Sequence, residues 1–269
     1  MKFEKRLVLH RNRAVEVWTY EGKRYAVKSY KNYEEEKDDI LLEMEMQLIL
    51  DHPGILKPRA VLQGKTEDTA RALIFDYVET KGEPRKLYPK LSTSEIKKVM
   101  LGLLDVVAHC HENSILHGDI KPENMLIDSS LAVKLIDFEY AQAMTTPEIH
   151  SSGTRFYFSP ERLHDVPCHF AADMWSCGMT LLVMLCPTLT NDADTNSKQL
   201  AFLESILGSS KFKAAGFEPV KNHRGKGLTK LVQEHTKRGD SKLMYLLQAL
   251  LQVDPRKRPT AREAIALLK

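Results

Sequence analysis

The stretch His117-Gly-Asp-Ile-Lys-Pro-Glu-Asn124, followed thirteen positions later by Asp137-Phe-Glu139, gathers the residue types that moving a phosphoryl group from ATP to a hydroxyl requires. Asp119 is a candidate base, able to accept or orient the proton of an attacking hydroxyl. Lys121 is a cation that can meet the moving phosphate. Asn124 and Asp137 offer hard oxygen ligands, and magnesium takes one or two of these together with phosphate oxygens and water. Such a reaction asks little covalent work of a protein, so positioning and charge neutralisation carry it. A second constellation lies upstream. Ala26-Val-Lys28 closes a strand-like run, and a lysine facing inward there needs a carboxylate or a phosphate to offset its desolvation.

These side chains need elements to hold them. Residues 5–10, 14–20 and 23–29 alternate polar with apolar or β-favouring types, and Glu21-Gly22 supplies a tight turn. An acidic helix is predicted from Tyr33 to Leu50, with apolar Leu42, Met46, Ile49 and Leu50, and His52-Pro-Gly ends it. Runs 57–63 and 71–78 read as two further strands. Gly and Pro between Glu79 and Pro84 mark a hinge. From Ser92 the pattern turns helical. Ser92-Thr-Ser94 caps a helix reaching about Glu112, with Glu95 in its first turn. Short strands at Met125–Ile127 and Val133–Ile136 flank the motifs, and helices follow at 170–186, 197–207, 227–235, 240–252 and 260–268. The expectation is an α+β chain of one domain, 1–269: a small β-rich lobe (about 1–75) with one helix, a connection (76–84) and a larger, mainly helical lobe (85–269).

A chain with 43% hydrophobic and 28% charged residues is ordinary for a globular protein, and a net charge of +3 does not indicate a nucleic-acid binder. Cys110, Cys168, Cys177 and Cys186 show no metal-ligand spacing and predict a reduced, intracellular chain, in the cytosol or the nucleus. The N-terminus lacks the apolar run of a signal peptide, and the most apolar window, Met179 to Leu185, is too short to span a bilayer.

Taken together, the two motifs resemble those of the eukaryotic protein kinases, whose catalytic loop reads H-R-D-x-K-x-x-N and whose metal loop reads D-F-G. The resemblance runs from about Arg6 to Leu268 and implies a bilobal kinase fold, ATP and Mg2+ as cofactors, and a protein substrate. It implies that Glu43, nine residues before His52, pairs with Lys28, with Glu45 as the fallback. It places Ala26 above and Leu126 below the adenine, gives Asp76 to Val78 as hinge backbone, and makes Phe75 the gatekeeper. Gly153-Thr-Arg-Phe-Tyr-Phe-Ser-Pro-Glu161 resembles the end of an activation segment, where Thr154 would touch Asp119 and Lys121. Asp173-Met-Trp-Ser-Cys-Gly178 resembles the helix whose aspartate holds the catalytic loop. Arg258 in Asp254-Pro-Arg-Lys-Arg258-Pro is expected to pair with Glu161. Lys121 with Thr154 is the serine/threonine-type combination. His-Gly-Asp and Asp-Phe-Glu are also written by phosphotransferases resembling the choline and aminoglycoside kinases, but the three downstream motifs are not.

The chain departs from this family at four places. Between Leu7 and Ala26 the only glycine is Gly22, so no glycine-rich loop covers the phosphates, and the turn reads His10-Arg-Asn-Arg-Ala-Val15. Arg11 and Arg13 either substitute charge for backbone contact or are solvated. Glu139 replaces the glycine after Asp-Phe. Gly118 replaces the arginine that would clamp a phosphorylated activation segment, so activity is expected without phosphorylation of Thr145, Thr146, Ser151 or Ser152. Gln47 stands where an apolar residue of the column joining the lobes is usual. The missing glycines and Glu139 motivate an alternative, a pseudokinase scaffold or binding module, and an activating or scaffold partner fits either case. The basic stretch Lys221 to Lys230 reads as a solvated loop.

Overall fold

The computed structural model describes residues 1–9, 13–30, 33–62, 72–236 and 240–269, with the side chains of residues 8, 9, 13, 33–39 and 42 outside the description. The first lobe is an antiparallel sheet of five strands, β1 (Lys2–Leu9), β2 (Arg13–Tyr20), β3 (Lys23–Tyr30), β4 (Pro58–Leu62) and β5 (Ala72–Asp76), in the order β1-β2-β3-β5-β4. Glu21 and Gly22 both take positive φ, 49° and 76°. That is the geometry of a two-residue hairpin whose twist matches its strands, and it fixes the β2–β3 register from Tyr20↔Lys23 to Arg13↔Tyr30. Because side chains alternate along a strand, Val27 is buried on one face while Ala26 and Lys28 occupy the other. One helix, α1 (Tyr33–Ile49), accompanies the sheet.

The second lobe is mainly helical. It contains α2 (Pro84–Leu87), α3 (Thr93–Glu112), β6 (Ile115–Leu116), β7 (Met125–Ile127), β8 (Val133–Leu135), β9 (Gln142–Ala143), α4 (Pro160–Leu163), α5 (Ala171–Leu185), α6 (Asn196–Leu207), α7 (Ser209–Ala214), α8 (Leu228–His235), α9 (Ser241–Leu250) and α10 (Ala261–Leu268). The α3 start is a capping box: Glu95 N donates to Ser92 Oγ (3.3 Å) and Ser92 N donates to Glu95 Oε2 (2.8 Å). Its buried residues Ile96, Val99, Met100, Leu103 and Val107 follow helical spacing and line one face. Every residue of α5 from Ala172 to Leu185 is buried, the polar Asp173, Ser176 and Thr180 together with the apolar remainder.

One continuous core fills the second lobe and takes in Met46 and Leu50 of the α1 end and Ile55 beyond it. The sheet holds only small clusters, such as Tyr30, Ile40, Leu73 and Phe75. The segment after α1 therefore belongs to the larger lobe. Gly54 makes this docking close: a Cβ there would lie 2.2 Å from Val106 Cγ2 of α3. Leu135 N donates to Gly54 O (2.8 Å), and His52 Nε2 lies 3.1 Å from Asp105 Oδ2.

Three short helices, α2, α4 and α7, carry no periodic signal in the sequence, being four to six residues long. Of the run expected at 71–78, β5 covers Ala72–Asp76, and Tyr77 N adds one more bond in the same register, to Arg24 O (3.2 Å), before the chain leaves the sheet. All four cysteines are free and buried. Among the described residues no helix is long and apolar enough to cross a membrane.

Candidate active site

The loop after β6 is held from below. Asp173, near the start of α5, accepts from His117 N (2.8 Å) and Gly118 N (3.0 Å), with His111 Nε2 3.0 Å away. Burial alone would raise this carboxyl's pKa, but His111 and the backbone donors outweigh it and hold it below the ordinary range. His117 is fully buried, its ring edge-on to Phe138 at 4.7 Å. Its Nδ1 accepts from Asp119 N (3.3 Å) and its Nε2 donates to Ile136 O (3.2 Å), which together fix one neutral tautomer. His117 thus ties the loop to the Asp137 strand end.

Around Asp119 the donors converge. Lys121 Nζ reaches Asp119 Oδ2 (2.6 Å) and Thr154 Oγ1 (2.7 Å), and Thr154 N donates to Asp119 Oδ1 (2.7 Å). Asn124 Nδ2 donates to the Asp119 carboxylate (3.1 Å) and to its backbone carbonyl (2.9 Å). Ile136 N donates to Asn124 O (3.0 Å), which sets Asp137 beside Asn124. Asp137 has φ of 66°, a strained position for a non-glycine residue of the sort that clusters at functional sites. The positive φ falls there and not on Glu139, so residue 139 has no conformational need for glycine.

A second cluster joins the lobes. Lys28 Nζ donates to both oxygens of Glu43 (2.8 and 2.9 Å) and to Asp137 Oδ1 (2.7 Å), while Tyr30 Oη donates to Glu43 Oε2 (3.1 Å). Burial would lower the ammonium's pKa, but Glu43 and Asp137 outweigh it and raise it above the ordinary lysine range. Glu45 is exposed, so Glu43 and not the fallback meets the lysine. Gln47, one turn on, is buried with Nε2 donating to Leu56 O (3.0 Å), which anchors the α1 end to the following segment, while its Oε1 is buried with no partner among the described residues. Ala26 is half-buried opposite Phe75 in the β3–β5 ladder, and Leu126 is half-buried in β7. Asp76 ends β5 with its side chain on Arg59 (2.8 Å from Nε), and half-buried Val78 follows. Lys81 N donates to Ile127 O (2.7 Å), so the connection lies against β7. The turn at His10–Asn12, with Arg11, lies outside the described residues, as does the Arg13 side chain.

Glu161 and Arg258 form a buried two-pronged pair (2.6 and 2.7 Å), with the guanidinium 5.0 Å from the Trp175 ring centre. Two residues that sequence reasoning did not single out, His150 and Arg162, are buried beside Gly118. A cavity of about 510 Å3 adjoins Lys121 and Thr154 and is lined also by Arg85, Glu123, Tyr157 and Asp192.

A lobe of antiparallel sheet with one helix, a helical lobe and a lysine–glutamate pair above an aspartate–asparagine loop define a kinase-like protein. The family model described as "Protein kinase domain" matches residues 14–267, and the chain belongs to that family. It is 31% identical over 164 residues to the SNF1-related protein kinase catalytic subunit alpha KIN12 of Arabidopsis thaliana, covering 57% of this chain and 32% of that protein. It is 30% identical over 232 residues to a probable casein kinase II subunit alpha homolog of Encephalitozoon cuniculi, covering 80% and 72%. To the serine/threonine protein kinase OSK3 of Oryza sativa subsp. indica it is 30% identical over 233 residues, covering 82% and 39%. The chain spans a quarter to a third of the length of the first curated relatives it matches.

Proposed function

We propose that the chain is an active protein kinase that transfers the γ-phosphoryl group of ATP, with magnesium, to serine or threonine hydroxyls of proteins. The observation that carries this is the Asp119 carboxylate, 3% exposed and held by Lys121, Asn124 and the Thr154 amide, with the Lys28–Glu43 pair formed above it. A chain with no catalytic duty has no physical need to keep five such side chains together. The similarity to a serine/threonine protein kinase and to a casein kinase II alpha homolog supports the hydroxyl class.

In this reading Asp119 receives or orients the proton of the acceptor hydroxyl. Lys121, bound to both Asp119 and Thr154, presents its ammonium where negative charge develops. Lys28 reaches phosphate oxygens from the Glu43 side. Asn124 and Asp137 fit a magnesium ion by chemistry: the Asn124 nitrogen is spent on Asp119, which leaves its carbonyl oxygen as donor, and the Asp137 carboxylate is 26% exposed. When bound, the ion would neutralise charge on the phosphates. Ala26 and Leu126 would bracket the adenine, and the backbone from Asp76 to Val78 would pair with its edge. Asp173, Glu161 and Arg258 serve as supports of the loop and segment.

The test is a radiolabelled transfer assay with magnesium, ATP and a generic basic protein, beside Asp119→Asn. Transfer should fall by at least ~100-fold in the variant, and equal transfer by both proteins would refute the mechanism. The second reading, a kinase-shaped binding module, is favoured by the absence of glycine between Leu7 and Ala14 and by the extra carboxylate that Glu139 places two residues after Asp137. It predicts no transfer by the unaltered protein.

A further inference from the structure

We propose that Arg162 is the positioning residue that fastens the activation segment to Asp119, and that it does so with no phosphate on that segment. Its bearing on turnover rests on the kinase reading above. Its structural part does not.

Arg162 sits in α4 directly after Glu161 and is 3% exposed. Its guanidinium meets no carboxylate among the described residues. Instead Nε donates to His150 O (3.0 Å), Nη1 to Gly118 O (2.9 Å) and Nη2 to Ser152 O. The cation also lies over the Phe158 ring, 3.7 Å from its centre. Burial draws its pKa below the ordinary arginine range, the mark of a charge kept in place at a cost. Three carbonyls from two separate stretches of backbone are thus gathered by one planar fork whose donor directions suit several acceptors at once.

Those stretches flank the contact that matters. Gly118 precedes Asp119, and Ser152 lies two residues before Thr154, whose amide donates to Asp119 Oδ1 (2.7 Å). The apposition is tight: a Cβ on Gly153 would lie 3.0 Å from Gly118 O and 3.2 Å from Asp119 Oδ1. At residue 118 itself φ is +78°, and a Cβ would fall 2.3 Å from His150 Nε2 and 2.6 Å from the backbone oxygen of Tyr140. The His150 ring therefore fills the space where a side chain from position 118 would begin. No cation can reach outward from that position to receive a phosphate, and the fastening runs inward, from Arg162 to backbone oxygens.

The deciding experiment is amide hydrogen exchange on phosphatase-treated protein, read over peptides covering residues 148–156, for the unaltered chain, Arg162→Met, Arg162→Lys and the quadruple alanine variant at Thr145, Thr146, Ser151 and Ser152. Methionine keeps the buried length and removes every donor. The unaltered and quadruple-alanine proteins should be equally protected. Arg162→Met should exchange at least tenfold faster there while α3 and α5 stay protected, with Arg162→Lys intermediate. If Arg162→Met loses its cooperative melting transition, Arg162→Lys carries the comparison. Unchanged exchange in these variants, or protection in the unaltered chain that appears only after phosphorylation, overturns the proposal. Exchange needs no turnover, so a chain inactive in the transfer assay still decides it. Where transfer is measurable, kcat should drop at least tenfold in Arg162→Met at constant KM for ATP.

Discussion

At the residue scale, chemistry-bearing side chains announced themselves by type and spacing, whereas residues acting through backbone did not. Asp119, Lys121, Asn124 and Asp137 were legible together because that set at that spacing has few bland explanations. Lys28 with Glu43 followed only from the resemblance, a strand-end lysine and one glutamate of an acidic helix being unremarkable by themselves. Arg162 and His150 were invisible: one arginine among many cations and one histidine in an irregular stretch show no period, and their partners are carbonyls that every residue owns. His150 makes a testable case. Its ring is buried against Arg162, with Asp119 and Asp173 also bearing on it, and burial first, then the Arg162 charge, push its pKa down to about 4. Unfolded, the imidazole titrates near 6.5. The native state thus disfavours the proton, so His150 contributes full stability above pH 6.5 and loses it as pH falls from 6.5 towards 4. Denaturant titrations between pH 7 and pH 4 should show a stability decline that is shallower in His150→Leu. Parallel pH profiles in the two proteins would contradict this.

At the element scale, amphipathic periods and caps reproduced most of the architecture. The Ser92 cap, β7 and the long helices fell where patterning put them, to within two residues. Errors gathered at strand ends, where β1 begins at Lys2 rather than at residue 5, and at short helices, where pairing and tertiary docking set the limits. A fully buried ion pair ties α4 to the segment before α10. Arg258 and Glu161 are 0% and 2% exposed at the side chain. Arg258→Met would strand the Glu161 carboxylate in the core, and breaking such a buried pair costs about 3–5 kcal/mol. Thermal melting should show a large drop for Arg258→Met and recovery when Glu161→Gln is added, since the amide removes the stranded charge.

At the scale of the whole molecule, the two lobes are coupled by the α1 end and the Gly54 segment, which dock on α3, and by Lys28, which grips Asp137 across the cleft. A ligand seated between the lobes should therefore stabilise both. Magnesium and ATP at a hundredfold above Kd would add about 2.7 kcal/mol to the folded state. Thermal shift should rise with ATP plus magnesium, return to the ATP-only value with EDTA, and lose its magnesium-dependent part in Asp137→Asn. A shift indifferent to magnesium in the unaltered protein would remove Asn124 and Asp137 as ligands. The buried cysteines have a practical outcome of their own. With Cys110, Cys177 and Cys186 fully hidden, Cys168 nearly so, and burial holding the Cys168 thiol up at about 11 and Cys186 at about 12, the native chain should be silent to maleimides and aromatic disulfide reagents. Two surface-to-cysteine changes, one in each lobe, would then take a donor and an acceptor cleanly, giving a distance ruler across the cleft with no background to subtract.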